Sequence, residues 1–201
     1  MTTHEALTPL TQALARPLAP SSDYDLNPDT VLPEGRKLRL AGVLVAVELT
    51  EYGPHVWLTK RSSALKHHPG QVAFPGGKKD DEDRDIVATA LREASEEIGL
   101  PSEHVDILGQ WSSHETVTGF QVTPVIGHVT KPFEPKAEAG EVDEIFTVPL
   151  AHFLNRNSFR VESRRWRGQR RYYYCAPYGP YYVWGATARI LRAISDAACL
   201  E

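Results

Sequence analysis

Apolar residues crowd into a few short stretches of this chain. The densest, LAGVLVAVEL (Leu40–Leu49), predicts a strand. A second strand is expected over His55–Lys60; the Tyr52-Gly53-Pro54 turn between them makes the pair a hairpin. Further strands are expected over Val105–Ser112 and Gln121–Val129 and near Glu144–Pro149. The segment FRVESRRWRGQRRYYYCAPY alternates around Arg167-Gly168-Gln169 and reads as another hairpin. Helical spacing appears in a different place. Val87, Leu91, Ala94 and Ile98 recur at intervals of three and four, so a helix from Arg84 or Asp85 to Ile98 should pack that face on a sheet. Gly99 and Pro101 end it, and the small Ala90 and Ala94 allow close approach. Leu150–Leu154 reads as a short helix and Ala186–Ala198 as a final amphipathic one. Strands mixed with helices in this way indicate an α/β domain.

The stretch before Leu38 differs. It is rich in Pro, Thr and Ser, with one short helix expected over Thr3–Leu14 and an irregular segment from Pro17 to Pro33. Residues 1–37 therefore read as an N-terminal arm without chemistry of its own, packed on the domain or on a second subunit, and residues 38–201 as the domain proper. A homodimer is left open by the sequence.

Composition narrows the classes. A length of 201 residues suits one domain with an arm, and 41% hydrophobic residues suffice for a core. A formal net charge of −4 argues against coating by nucleic acid. Cys175 and Cys199 have neither ligand spacing nor disulfide density and read as reduced thiols. No apolar run approaches the roughly 20 residues of a membrane span, and the N-terminus lacks a secretory profile. A cytoplasmic protein without a membrane partner is expected.

The candidate chemistry lies in FPGGKKDDEDRDIVATALREASEEIGL. Glu93, Glu96 and Glu97 project from neighbouring positions of the predicted helix, where like charges cost roughly 0.2–0.5 kcal/mol per pair. A divalent cation would relieve that repulsion, and an all-oxygen donor set suits Mg²⁺ or Mn²⁺ rather than zinc.

The same residues carry a resemblance to the Nudix box, in which a glycine is followed by an acidic residue and then by Arg-Glu, an aliphatic residue, Glu-Glu and Gly-aliphatic. Arg92, Glu93, Glu96, Glu97, Gly99 and Leu100 match its second half, with Ala94 where a larger aliphatic is usual. The first half departs. Counted from Gly77 the acidic position falls on Asp83, and fourteen residues separate Gly77 from Arg92, one more than the general pattern holds. Upstream, LTKRSSALKHHPGQVAFPGG (Leu58–Gly77) resembles the motif of the coenzyme A pyrophosphatase branch, with Lys66 in place of its second arginine. TVTGFQVTPVIG and YYVWGATARIL also look like this group, and a longer spacer in the box is usual there.

The resemblance implies a Nudix-type α/β/α sandwich with a mixed β-sheet. It also implies an Mg²⁺- or Mn²⁺-dependent enzyme that splits the diphosphate of coenzyme A or its derivatives into adenosine 3′,5′-bisphosphate and 4′-phosphopantetheine. Glu93, Glu96, Glu97 and the backbone of Gly77 would hold metal, and Arg92 would orient a carboxylate. Lys60, Arg61 and Lys66 would clamp phosphates, Arg61 foremost. A box glutamate or one of Glu115, Glu141 and Glu144 would act as general base, a choice that distance decides. Adjacent His67 and His68 would face opposite ways on a strand and are not expected to ligate metal. The arginines from Arg160 to Arg171 read as a solvated hairpin or as a contact for an extra phosphate, on coenzyme A or on RNA. The nearby tyrosines and Trp184 read as packing rather than as an adenine shelf. Two alternatives remain. One is a broader hydrolase of ADP-ribose, dinucleotides or nucleoside triphosphates. The other is a non-catalytic Nudix-fold module, against which the intact glutamates argue.

Overall fold

The computed structural model describes residues 2–16, 19–65, 68–166 and 168–199. Its elements are, in order, α1 (Thr3–Leu14), β1 (Ser21–Ser22), β2 (Arg39–Thr50), β3 (Gly53–Arg61), β4 (Val72–Ala73), β5 (Gly76–Lys78) and α2 (Ile86–Ile98). Then come β6 (Val105–Gln110), β7 (His114–Glu115), β8 (Phe120–Val129), β9 (Val142–Pro149), α3 (Leu150–Leu154), β10 (Arg160–Trp166), β11 (Gln169–Tyr178), β12 (Tyr181–Trp184) and α4 (Ala186–Ala198).

Strand β2 is an unbroken apolar run because both its faces are covered. Leu44 and Ala46 join one core cluster and Val45 and Val47 the other. Along its length β2 pairs in parallel with β8, Leu44 opposite Val125 and Val45 opposite Ile126. Antiparallel to it run β3 at one end and β5 at the other. The sheet is therefore mixed, in the order β1-β7-β8-β2-β3-β4, with β6 on β8 and β9 on β3. Helix α2 covers one face through Ala90, Ala94 and Ile98. On the other, Leu10 of α1, Phe153 of α3, Ile190 and Leu191 of α4, and Ala176 and Val183 of a small β10-β11-β12 sheet close the larger core. The result is an α/β/α sandwich. No helix among the described residues is long and apolar enough to cross a membrane.

Local rules set the ends of α2. The Asp85 side chain accepts from the Ala88 N–H at 2.8 Å, an N-cap, and Gly99 closes the helix at φ 72°. The buried stripe differs from the expected one. Ala90, Ala94 and Ile98 are its seat, while Val87 and Leu91 are only partly buried beside it. Close approach is the reason: a Cβ on Gly42 of β2 would lie 2.7 Å from the Ile86 carbonyl oxygen, so only alanine-sized side chains fit beneath the helix. Strand β6 ends two residues before the expected Ser112, after a register shift between Ile107 and Gly109.

The N-terminal segment is stitched into this core. Thr2 and Glu5 form a reciprocal capping box, and Leu7, Leu10 and Ala13 are buried in the larger cluster. Ser21–Ser22 pairs in parallel with β7, where buried His114 meets Ser21 Oγ at 2.9 Å through Nδ1 and Asp23 Oδ1 at 3.1 Å through Nε2. The Asn27 amide donates to the Tyr172 carbonyl and accepts from its N–H, both at 2.9 Å, so it mimics a strand along β11. Truncating Leu10 to Ala should therefore cost about 2–5 kcal/mol of global stability in chemical denaturation, as for a core leucine, with a single transition retained.

Candidate active site

The short strand β5 brings the glycine turn under helix α2. Gly42 pairs with Gly77 and Val43 with Gly76, which presses both turn glycines against the centre of the sheet. Gly76 sits at φ 156°, and a Cβ there would come within 2.5 Å of the Gly42 oxygen. At Gly77 the neighbour is a functional group: a Cβ would lie 2.5 Å from the Glu93 carboxylate. One helical turn further on, Glu97 Oε2 accepts from the Gly76 N–H at 3.1 Å. Glu93 and Glu97 thus lie side by side on adjacent glycines.

Both carboxylates are under electrostatic stress. Glu97 is 3% exposed. Burial is the main cause that pushes its pKa up to about 7; Glu93 and Glu141 add to the rise, and the Gly76 N–H and Arg61, whose Nη1 is 3.8 Å from Oε1, oppose it. Burial likewise raises Glu93 against the pull of Arg92, with Glu96 and Glu141 adding.

Arg92 organises the rest. Its guanidinium grips Asp83 in a fork, Nε to Oδ1 and Nη2 to Oδ2, both at 3.0 Å. Nη2 also reaches Glu93 Oε1 at 2.9 Å, and Nη1 reaches Glu96 Oε2 at 2.9 Å. Asp83 accepts in addition from the Asp80 N–H at 3.0 Å and from the Thr89 hydroxyl at 2.9 Å. Arg92 first, then these bonds, hold its carboxyl well below the usual carboxylate range. The extra residue before Arg92 is thus absorbed without parting Asp83 from the arginine: Asp83 fixes Arg92, and Arg92 fixes the glutamates.

Of the residues expected from sequence, the fold brings together Glu93, Glu97, Gly77, Arg92 and Arg61. Glu96 is drawn aside; its side chain is 56% exposed and held by Arg92. Lys60 stands opposite Glu144 in the β3–β9 register. Lys66 and His67 lie outside the described residues. Among the three loop carboxylates, Glu141 acts on both Glu93 and Glu97, Glu144 accepts a hydrogen bond from the Tyr181 hydroxyl, and Glu115 is ion-paired to Arg36. Thr89 is a contributor that sequence reasoning did not single out, and Tyr181, read as packing, also donates to Glu144. For Thr89 a signal existed, since it lies three residues before Arg92 on the helix that carries the glutamates.

No three His, Cys, Asp or Glu side chains converge as a ready cation cage among the described residues. A buried and a half-buried carboxylate, incompletely compensated on a glycine backbone, nevertheless fit a hard cation such as Mg²⁺, which keeps several of its waters and needs few protein oxygens. A family model, that of the NUDIX domain, matches residues 38–168. The chain belongs to the Nudix family. Relatives include the Nudix hydrolase NudL of Cronobacter sakazakii, 42% identical over 78% of this chain and 81% of its own, and that of Enterobacter sp. strain 638, 41% identical over the same shares. A Nudix hydrolase structure from M. Smegmatis, RenU, is similar over 58% of this chain and 73% of its own, at 22% identity and a TM-score of 0.49. The protein is accordingly a Nudix hydrolase, an enzyme of a family that acts on small nucleotide-type substrates and generally uses divalent metals such as Mg²⁺ or Mn²⁺.

In this Nudix hydrolase the Glu97 carboxyl is harder to ionise folded than unfolded. Its ionisation therefore destabilises the metal-free protein progressively as pH rises from about 4.5 towards about 7. Glu97→Gln should stabilise the metal-free protein at pH 8 by up to roughly 3 kcal/mol, with the gain vanishing towards pH 4.5. Added Mg²⁺ should raise the Tm of the wild type more than that of the variant; thermal unfolding across pH with and without Mg²⁺ measures both.

Proposed function

We propose that this Nudix hydrolase cleaves the diphosphate of coenzyme A and its derivatives into adenosine 3′,5′-bisphosphate and 4′-phosphopantetheine. The observation that carries the reading is Arg61. It ends the LTKR segment that resembles the coenzyme A pyrophosphatase motif, and its guanidinium stands 3.8 Å from Glu97 of the box helix. That contact supports reading the upstream motif and the carboxylate pair as parts of one site.

Glu93 and Glu97, with the backbone of Gly77, would hold Mg²⁺ or Mn²⁺, and Glu96 would join them by releasing Arg92. A cation bound there would neutralise charge on the diphosphate and make water a better nucleophile. Arg61 would then exchange its contact with Glu97 for a phosphate oxygen, for which a guanidinium is well shaped. Lys60, and by its place in the motif Lys66, would add positive charge for the phosphates. Glu141 is our choice of general base: it is exposed, it bears electrostatically on both Glu93 and Glu97, and it is free of the partners that occupy Glu115 and Glu144. Arg92 keeps a positioning role.

A substrate panel compares coenzyme A, acyl derivatives, dephospho-coenzyme A, ADP-ribose and nucleoside triphosphates by kcat/KM with Mg²⁺ and with Mn²⁺. Coenzyme A or an acyl derivative should lead. A wide lead for ADP-ribose would overturn the substrate and favour the broader hydrolase. Arg61→Ala should lower kcat/KM by about tenfold or more while leaving metal-induced stabilisation in place; unchanged kinetics would end its role as a clamp.

A further inference from the structure

The small β10-β11-β12 sheet turns one face to the core and the other outward. Ala176 and Val183 are buried on the inner face. Register places Arg160, Cys175 and Trp184 on one rung of the outer face, Glu162 with Tyr173 on the next, and Arg164 with Arg171 beyond it; Tyr182 lies opposite Pro177 on the same side. The rings lie together: Tyr173 meets Trp184 edge-on at 5.1 Å, and Tyr182 lies 6.4 Å from Trp184 and is 39% exposed. The Arg164 guanidinium covers Trp184 at 4.2 Å.

The charge here is one-sided. Residues 160–171 contain six arginines and a single acid, Glu162, in a chain of net charge −4. Arg164 stands directly opposite Arg171 on the outer face, and Arg165 opposite Arg170 on the reverse face at the hairpin's end, pairings that cost stability. Among the described residues Arg160, Arg164, Arg165 and Arg170 take part in none of the ion pairs. Glu162 is engaged by the Tyr182 hydroxyl at 2.6 Å.

We propose that this outer face binds single-stranded nucleic acid, with the exposed Tyr182 ring as the stacking surface, supported by Trp184, and with Arg160 and Arg164 on the phosphates. Several arginines spread along a strand suit a ligand with several phosphates, and rings among them suit one that also carries bases. Same-face side chains recur every 6.6 Å or so along a strand, a repeat that can follow an extended polynucleotide. A second copy of the chain would set this positive face against itself. The site is separate from the carboxylate centre, so its occupancy does not depend on which diphosphate is cleaved.

Fluorescence anisotropy with a labelled 5′-hydroxyl oligoadenylate tests the proposal, because that probe offers no diphosphate to the catalytic centre. Binding should appear at low salt and weaken steeply as salt rises. Arg164→Gln and Tyr182→Leu should each weaken it by about tenfold, while Tyr182→Phe keeps it and all three variants hydrolyse the small substrate as the wild type does. Inorganic polyphosphate should compete less well than unlabelled oligoadenylate. No binding at low salt, full binding by Tyr182→Leu, equal competition by polyphosphate, or capture by anionic phosphatidylserine vesicles in place of the oligonucleotide would each overturn the assignment.

Discussion

The close seating of helix α2 on β2 and β5 is the constraint from which the site follows. Gly42, Gly76 and Gly77 leave no room for side chains, so the helix comes down until its backbone nearly touches the sheet. At that distance Ala90 and Ala94 fill the contact, and Glu93 and Glu97 have nowhere to go except against the glycine turn. A wider gap would let both carboxylates reach water and relax. The packing thus makes two ordinary helix glutamates, one buried and one half-buried, harder to ionise, a state that a cation would relieve.

Such burial would be self-defeating without a scaffold to hold the helix in place. Arg92 provides it by bridging Asp83, Glu93 and Glu96, three acids from two segments of the chain. The arrangement is asymmetric. Asp83 is fully satisfied by Arg92, Thr89 and the Asp80 N–H and holds its charge easily, whereas Glu97 has one backbone donor and a distant arginine. Arg92 thus partly offsets Glu93 and leaves Glu97 the less compensated of the inner pair. That inner deficit is the feature with chemical consequences.

Legibility in the sequence followed how local each determinant is. Helix α2, its Asp85 cap and its Gly99 stop are written within a few residues of one another, as is the β2–β3 hairpin. The second half of the box, from Arg92 to Leu100, was equally plain. Asp83 was not, because a single inserted residue shifts the count and only the fold shows that the loop absorbs it. The burial stripe of α2 was legible except in how deeply each position is buried. Spacing marks Val87 and Leu91 as candidates for the core, but the glycine at position 42 on another strand decides that alanines lie at the contact. Glu141 could not be separated from Glu115 and Glu144, since each owes its environment to a partner distant in sequence. The N-terminal segment looked irregular because its ties, His114 to Ser21 and Asp23 and Asn27 to Tyr172, all reach across the chain.

The loop that carries Glu141 is itself fastened to the box helix. The Lys136 and Glu138 N–H groups donate to the Ile98 and Glu97 carbonyls, satisfying the last turn of α2, and Glu141 follows three residues later. From the other side the Ser62 N–H donates to the Glu141 carbonyl at 2.8 Å, one residue beyond Arg61. Main-chain bonds thus tie the segments that carry Glu97, Glu141 and Arg61, in addition to the long Arg61–Glu97 ion pair. Their carboxylates and guanidinium stay free to exchange partners while their backbones hold position. The proposed uptake of a cation and a diphosphate, followed by release of products, would call for that division between a fixed frame and mobile charges.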